Sequence, residues 1–226
     1  MKDFLERSKQ LLGEEKINSF KDKTILVAGV GGVGGTALEC LVRSGFTKFV
    51  LIDFDVVDIT NLNRQILFAS KDVGKSKVEC AKKHCEEINS SVDIKIINAK
   101  IGETPIEQLI DDKINFIIDA IDDVNGKFDL YKYSLEKDIP LISSLGMGNK
   151  VDPEKVTLTT LAKTENDPLA RKIRYEAKQR GIDTKKINVV FSKETPLLKS
   201  PKPTSMMMVP STAGLLIAKY IITTLK

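Results

Sequence analysis

The residues best placed to do chemistry lie in a glycine-rich turn near the start of the chain. Gly29, Gly31 and Gly34 follow the apolar run 25–28 with G-x-G-x-x-G spacing, and Gly32 stands between them. A buried strand that enters such a turn leads to a helix whose unpaired backbone N–H groups face an anion. The pattern therefore predicts a site for a nucleotide phosphate.

A cluster of polar residues follows the next predicted strand. Asp53 ends the apolar run 49–52, at the distance from the turn at which an acid binds a ribose hydroxyl. A dinucleotide oxidoreductase would need only this acid, so the further polar residues favour a triphosphate ligand. The cluster supplies four more candidate nucleotide-binding residues: Asp55, Asn61, Arg64 and Gln65. A solvent-facing charge is the alternative for Arg64.

A lysine and a group of aspartates are the next candidates. Lys77 lies in the first turn of a predicted helix, 73–88, and would pair with the β- or γ-phosphate, a plain surface lysine being the alternative. Three carboxylates stand at the end of the predicted strand 115–120: Asp119, Asp122 and Asp123. Clustered carboxylates are costly without a cation or hydrogen bonds, which predicts a magnesium ligand here or a helix cap for one of them.

The elements that must position these residues alternate between strands and helices through residue 150. This order predicts a Rossmann-like, doubly wound α/β fold with a mainly parallel sheet. Beyond it, the β-branched runs 156–161 and 188–191 predict antiparallel strands that extend the sheet in the C-terminal third. We expect a single domain in three parts: an N-terminal helical segment (1–22), a nucleotide-binding part (23–150) and a basic extension that ends in a helix (151–226).

Composition narrows the function further. The C-terminal apolar run 209–225 is interrupted by Lys219, and the charged N-terminus is unlike a signal peptide, so we expect a cytoplasmic protein. The three cysteines suit neither a disulfide framework nor a zinc site. Residues 151–226 contain 14 Lys/Arg against 7 Asp/Glu, which suggests a polyanionic partner; solvated lysines are the alternative. The segment 193–208 has the composition of a mobile loop.

Four motifs in order resemble the superfamily of ATP-dependent adenylating enzymes that includes the ubiquitin-activating enzyme and the molybdopterin and thiamine pathway adenylyltransferases. They lie between Gly29 and Asp123 and read G-x-G-G-x-G, D-F-D-x-V-x-x-x-N-L-x-R-Q, V-G-x-x-K and D-x-x-D. The resemblance implies that Asp53 holds the ATP ribose, that Asn61, Arg64 and Lys77 hold the phosphates, and that Asp122 holds magnesium. It also implies a homodimer in which Arg7 reaches the triphosphate of the partner subunit.

The second half of the chain is similar to one branch of that superfamily, the tRNA threonylcarbamoyladenosine dehydratases. The similar runs are S-S-L-G-M-G-N-K-V-D-P from Ser143, L-A-K-T-E-N-D-P-L-A-R-K-I-R from Leu161, V-V-F-S-K-E-T-P from Val189 and V-P-S-T-A-G from Val209. The branch implies ATP-dependent ring closure of the modified adenosine in tRNA through an acyl-adenylate. The residues expected to contact the tRNA backbone are Lys163, Arg171, Lys172, Arg174, Lys178 and Arg180.

Two rival functions stay open at this point. One is an adenylyltransferase that activates the C-terminus of a ubiquitin-like sulfur carrier, with the same ATP site and a different acceptor. The other is a nicotinamide-dependent oxidoreductase or a nucleotide sensor, which requires only the glycine turn and Asp53. Whether a sulfur-transfer protein or another partner takes part also stays open. No cysteine follows Cys85, so no thiol intermediate is expected.

Overall fold

One sheet organises the chain. The computed structural model describes residues 3–111, 113–198 and 203–225, and in this part seven strands form a sheet of order β3-β2-β1-β4-β5-β7-β6. The strands are β1 (Thr24–Ala28), β2 (Lys48–Ile52), β3 (Asp93–Ile97), β4 (Phe116–Asp119), β5 (Leu141–Ser144), β6 (Val156–Thr160) and β7 (Asn188–Ser192). Because the strand order reverses between β1 and β4, the sheet has the switch point at which doubly wound folds bind ligands.

The strand pairing confirms the predicted fold class. Strand β1 pairs in parallel with β2 and β4, and the parallel pairing continues through β5 to β7. Strand β6 pairs with β7 in the antiparallel direction. The predicted antiparallel extension is therefore the β6–β7 pair, in which β7 itself still runs with the parallel strands.

Helices cover both faces of the sheet. They are α1 (Glu6–Leu12), α2 (Glu14–Ser19), α3 (Gly32–Arg43), α4 (Lys77–Ile88), α5 (Ile106–Leu109), α6 (Val124–Lys137), α7 (Pro168–Gln179) and α8 (Met208–Thr224). One buried cluster joins α3, α4 and α8 to one face, and the other joins α5, α6 and α7 to the opposite face. Side chains that alternate along β1, such as Ile25 and Leu26, enter different clusters. No helix in the ranges described has the length and apolar content needed to cross a bilayer.

One helix start differs from the sequence prediction, and another is marked by a proline. Helix α4 begins at Lys77 rather than residue 73, because the chain first makes a 3₁₀ turn and then passes through Gly74 at φ +84°. Helix α8 begins at Met208, with Pro210 in its first turn, where a missing N–H costs no helical hydrogen bond. The predicted loop 193–208 lies partly outside the described residues; Asn149 holds its described parts through hydrogen bonds with Leu197 and Thr204.

A buried ion pair joins the carboxyl ends of β4 and β5. The Lys127 ammonium on α6 donates to both carboxylate oxygens of Asp119, at 3.0 and 2.9 Å, and to Ser144 O at 2.7 Å. Ser143 Oγ donates to Asp119 at 2.6 Å, and the side chains of Lys127 and Asp119 are both 0% exposed. Each charged or polar group of this network has a hydrogen-bond partner. The network therefore joins the ends of β4 and β5 at a buried position where an unpaired charge would be very costly.

Replacement of Lys127 by methionine would leave the Asp119 carboxylate buried without its cation. We expect Lys127→Met to lower the free energy of unfolding by about 3–5 kcal/mol in urea titrations. Lys132→Met on the same helix removes an exposed pair with Glu136 at 3.8 Å and should change it by less than about 1 kcal/mol. Equal effects of the two substitutions would show that the buried pair is not a structural link.

Candidate functional site

A cavity of about 300 Å³ lies at the carboxyl edge of β1, β2 and β4. Nine of the predicted nucleotide-binding residues line it: Gly29, Gly31, Asp53, Asp55, Asn61, Arg64, Gln65, Lys77 and Asp122. The residues come from four separate stretches of the chain that the parallel topology brings to one edge of the sheet. The predicted site is therefore a single place in the fold.

The glycine turn is shaped by close backbone approaches. Gly29 has φ +84°, and a Cβ there would lie 2.8 Å from Ala120 O, so the turn passes directly against the segment that follows β4. A Cβ on Gly34 would overlap Gly29 O, so the first turn of α3 folds back onto the same residue. The turn therefore brings the amino end of α3 to the cavity, as anion binding requires.

The Asp53 carboxylate ties the glycine turn to the polar segment after β2. Its Oδ2 accepts a hydrogen bond from Val30 N and its Oδ1 accepts one from Asp55 N, both at 2.9 Å. Burial raises the pKa of Asp53, while the Asp55 N–H and the Lys77 charge oppose this rise. The carboxylate lines the cavity and can accept further hydrogen bonds, such as one from a ribose hydroxyl.

The cations of the cavity are Lys77, Arg64 and Lys100. The Lys77 ammonium, on a residue only 6% exposed, lies 2.7 Å from Asp55 Oδ2. Arg64 Nη1 donates to Thr60 O and Asn63 Oδ1, both at 2.9 Å, which orients the guanidinium along the polar segment. Lys100, which the sequence analysis missed, follows β3 and lines the same cavity. Lys77 is paired with Asp55 and Lys100 with Glu103 at 2.9 Å, so Arg64 is the cation of this cavity that has no acidic partner among the described residues and can pair with an anionic ligand.

The two amides of the polar segment differ in their partners. Asn61 Oδ1 accepts from Asp58 N at 3.1 Å, which leaves its NH₂ group free of any intramolecular hydrogen bond within the described residues. Gln65 is buried, and its Oε1 has no hydrogen-bond partner in the same part of the chain. A buried orphan acceptor beside the glycine turn indicates that this wall is shaped to contact something else.

The three aspartates after β4 have three separate roles. Asp119 is neutralised by Lys127, and Asp123 caps α6 by accepting from Gly126 N at 2.7 Å. Asp122 lines the cavity and makes no hydrogen bond or ion pair with any described residue. No group of three or more His, Cys, Asp or Glu side chains is arranged to hold a metal in the described ranges. A carboxylate with no intramolecular partner is the kind of oxygen donor that magnesium prefers, so Asp122 could supply one protein ligand.

Three predicted residues do not line this cavity. Gly32 and Gly34 lie in the first turn of α3. There a Cβ on Gly34 would overlap Gly29 O, and a Cβ on Gly32 would lie 3.3 Å from Pro210 Cβ and 3.4 Å from Arg64 O. Arg7 is exposed on α1, outside the residues that form the cavity of its own chain. Its predicted action on a partner subunit stays a prediction.

The predicted tRNA-binding residues divide into two groups. Arg174 donates to Thr164 O at 2.9 Å and to the Thr164 hydroxyl, and the Arg180 guanidinium lies 4.2 Å from the Phe128 ring centroid while donating to Asn125 Oδ1. These two side chains therefore brace the fold. The other four, Lys163, Arg171, Lys172 and Lys178, are exposed, as is Arg180 itself. Among the described residues, Lys172 and Arg180 both pair with Glu176, at 4.0 and 3.3 Å.

The cysteines show no sign of activation. Burial raises the pKa of Cys85 to about 12, and burial also raises the pKa values of Cys40 and Cys80. A nucleophilic thiol needs the opposite shift. None of the three lines the cavity beside the glycine turn.

Comparisons with known proteins agree with the site. The sequence model of the ThiF family matches residues 5–225. The chain is 36% identical to a Bacillus subtilis protein named tRNA threonylcarbamoyladenosine dehydratase, over 96% of this chain and 92% of that protein. A Saccharomyces cerevisiae protein, tRNA threonylcarbamoyladenosine dehydratase 2, is 38% identical over 91% of this chain, which spans only 46% of its length.

A solved structure of another dehydratase is also similar to this chain. The crystal structure of Escherichia coli tRNA N6-threonylcarbamoyladenosine dehydratase in complex with ATP superposes with a TM-score of 0.90 at 33% identity, covering 96% of this chain and 91% of that one. A Haemophilus influenzae molybdopterin-synthase adenylyltransferase is 34% identical over only 58% of this chain and 52% of its own length.

The overlap that Gly34 avoids yields a prediction. We expect Gly34→Ala to lower the free energy of unfolding by about 1–3 kcal/mol and to weaken ATP binding, because the added methyl group must push Gly29 out of place. Gly74→Ala is the control: it strains a residue at φ +84° but meets no atom within 4 Å. Urea titrations and calorimetric ATP titrations measure both effects. Wild-type ATP affinity in a folded Gly34→Ala protein would contradict the prediction.

Proposed function

The chain belongs to the ThiF family, and from this premise we propose that it is a tRNA threonylcarbamoyladenosine dehydratase. It closes a ring on threonylcarbamoyladenosine in tRNA at the expense of ATP. The observation that carries the proposal is the convergence of the glycine turn, Arg64, Lys77 and the unpartnered Asp122 on one cavity. The likeness over nearly the full length to two dehydratases, one of them of known structure, supports the choice of substrate.

The reaction proceeds in two steps. The carboxylate of the threonine moiety attacks the α-phosphorus of ATP; a new P–O bond forms, and the bond to pyrophosphate breaks. A nitrogen of the carbamoyl group then attacks the activated carbonyl carbon, loses its proton and expels AMP. Because the former carboxylate oxygen leaves with AMP, the nucleoside loses one water. Ring closure is intramolecular and needs no protein nucleophile, in keeping with the raised thiol pKa values.

The residues of the cavity bind the phosphates and orient the nucleotide. The N–H groups at the start of α3 and the cations of Arg64 and Lys77 bind the phosphates and stabilise the negative charge that grows on the leaving pyrophosphate. Asn61 and Gln65 offer an NH₂ group and a buried acceptor as further contacts. Asp53 and Asp55 set the ribose side of the cavity and the position of Lys77.

Magnesium fits beside Asp122. Asp122 would hold the metal, which would supply further neutralisation of the triphosphate. The chain's own part is to keep Asp122 free, which it does by pairing Asp119 with Lys127 and by using Asp123 as a helix cap.

The proposal also includes a homodimeric assembly and a surface that binds tRNA. The enzyme is a homodimer in which Arg7 of each chain reaches the triphosphate of the other; the exposure of Arg7 on α1 supports this role. The tRNA backbone lies along the exposed cations near α7, where Arg174 is held by Thr164 and Arg180 packs on the Phe128 ring. Because tRNA is the substrate, the site of action is the cytoplasm.

Activation of a sulfur-carrier protein is the weaker alternative. It would use the same ATP cavity, but the likeness to a molybdopterin-synthase adenylyltransferase covers 58% of the chain, against 96% for the dehydratase. Mass spectrometry of tRNA nucleosides after incubation with ATP and magnesium separates the two. The dehydratase removes one water from threonylcarbamoyladenosine; pyrophosphate exchange that depends on a small protein and not on tRNA would favour the alternative.

Loss of one phosphate-binding cation should affect chemistry and leave the fold intact. We expect Arg64→Ala or Lys77→Ala to lower kcat by about 10²–10³-fold in a tRNA-dependent AMP release assay. Lys75→Ala removes a nearby exposed lysine whose partner is Asp72, at 3.6 Å, and should retain activity. Near-normal turnover of a folded Arg64→Ala or Lys77→Ala protein would remove that residue from the mechanism.

Charge reversal on α7 should weaken tRNA binding specifically. We expect Arg171→Glu with Lys172→Glu to raise the Kd for tRNA and to leave ATP affinity unchanged. The dependence of tRNA affinity on log salt should become shallower by about one for each phosphate that the variant no longer neutralises. The matched control is Lys132→Glu with Lys137→Glu on α6. Equal reductions of tRNA and ATP affinity would assign these residues to folding or assembly.

A further inference from the structure

A second cavity, of about 560 Å³, opens directly beside the ATP cavity. The two cavities share Ala120, Ile121 and Asp122, which stand between them. The volume is within the ~300–1,000 Å³ common for small-molecule sites. Any group bound in the second cavity therefore lies next to the triphosphate, across the residues that follow β4.

The walls of the second cavity are mainly apolar. The large side chains come from three stretches of the second half: Leu145 and Met147 after β5, Pro168 and Leu169 at the start of α7, and Pro196. Leu145 and Met147 are buried, and Leu169 is half-buried against the core. Such a lining suits a flat, weakly hydrated group more than a phosphate.

Besides Asp122, which the two cavities share, the charged residues of this cavity are Lys150 and Asp167, and both hold its wall. Asp167 accepts from Gly146 N at 3.1 Å and from Ala170 N at 2.9 Å. The Lys150 ammonium donates to Gly146 O at 2.8 Å and to Ser192 O at 3.0 Å, and it lies 3.7 Å from Asp167. Both side chains are buried. They position the Gly146–Gly148 turn and bring no free charge to the cavity.

Helix α7 joins this cavity to the basic surface. Its first residues, Pro168 and Leu169, line the cavity, and Arg171 and Lys172 follow on the exposed side of the same helix. A chain of nucleic acid held by those cations therefore has the apolar opening within one helical turn. Helix α7 therefore carries both two residues of the apolar cavity and the exposed cations that would contact phosphates.

We propose that the second cavity is the pocket for the modified adenine base, which the enzyme takes out of the tRNA stack. The base lies between the apolar walls of Leu145, Met147 and Leu169. Its threonylcarbamoyl chain points toward Ala120–Asp122, so that the carboxylate meets the α-phosphate. An enzyme that acts on a nucleoside within RNA must extrude it into a pocket of this kind. This inference rests on the dehydratase function and adds the location of the acceptor.

Filling the cavity tests the proposal. Leu169→Trp and Pro196→Trp each place an indole in the cavity from a different segment, and Leu135→Trp puts one on an exposed site of α6 as the control. The wild-type chain has no tryptophan, so the emission of the new indole also reports whether each variant is folded. The probes are free threonylcarbamoyladenosine, an anticodon stem-loop RNA that carries it, and ATP.

We expect both cavity variants to bind the free nucleoside and the stem-loop about tenfold or more weakly than wild type. Their ATP affinity and that of the control should stay unchanged. Arg171→Glu with Lys172→Glu should weaken binding of the stem-loop and spare the nucleoside, because the nucleoside has no phosphate. This pattern separates the base pocket from the backbone surface.

Two results would overturn the inference in different ways. If folded cavity variants bind the nucleoside as wild type does, while wild type dehydrates tRNA, the base lies elsewhere and the dehydratase function stands. If wild type neither binds the nucleoside nor changes the mass of the tRNA nucleoside, the function itself is wrong and the pocket assignment fails with it.

Discussion

The close approach of the Gly29 backbone to Ala120 is the constraint on which the site depends. A single methyl group at Gly29 would lie 2.8 Å from Ala120 O, so side-chain-free backbone is what lets the turn after β1 touch the segment after β4. That approach brings the amino end of α3, with its phosphate-binding N–H groups, to the stretch that carries Asp122. Asp53 completes the arrangement by holding Val30 from the side of β2.

Nearly every acid at this edge of the sheet has a partner within the chain. Five acids lie close together, and each except Asp122 has a defined intramolecular role: Asp53 and Asp55 bind backbone N–H or Lys77, Asp119 pairs with Lys127, and Asp123 caps α6. The cations Arg64, Lys77 and Lys100 face the same space. Among the described residues, Arg64 and Asp122 are therefore the cation and the carboxylate at this edge that have no oppositely charged partner within the chain.

The two halves of the chain contribute to different cavities. The ATP cavity is formed entirely by residues before position 124, the part in which the four superfamily motifs occur. The second cavity draws most of its wall from residues 144–203, and the basic helix α7 starts at its rim. A common adenylating half can therefore serve different acceptors, since the acceptor meets α7 and the turn after β5 more than the nucleotide-binding loops.

The sequence by itself determined the fold class and most of the ATP cavity. Residues that end parallel strands must meet at one edge, so Asp53, Arg64, Lys77 and Asp122 could be grouped from their places after predicted strands and from motif spacing. Only the tertiary structure decided which charges are used internally. Lys127 and Arg174 look like surface cations in the sequence, yet they bind Asp119 and Thr164. Lys100 and the second cavity were missed for the same reason: local periodicity reveals which residues share a face, whereas the partner of a side chain and the space between elements depend on packing between distant segments.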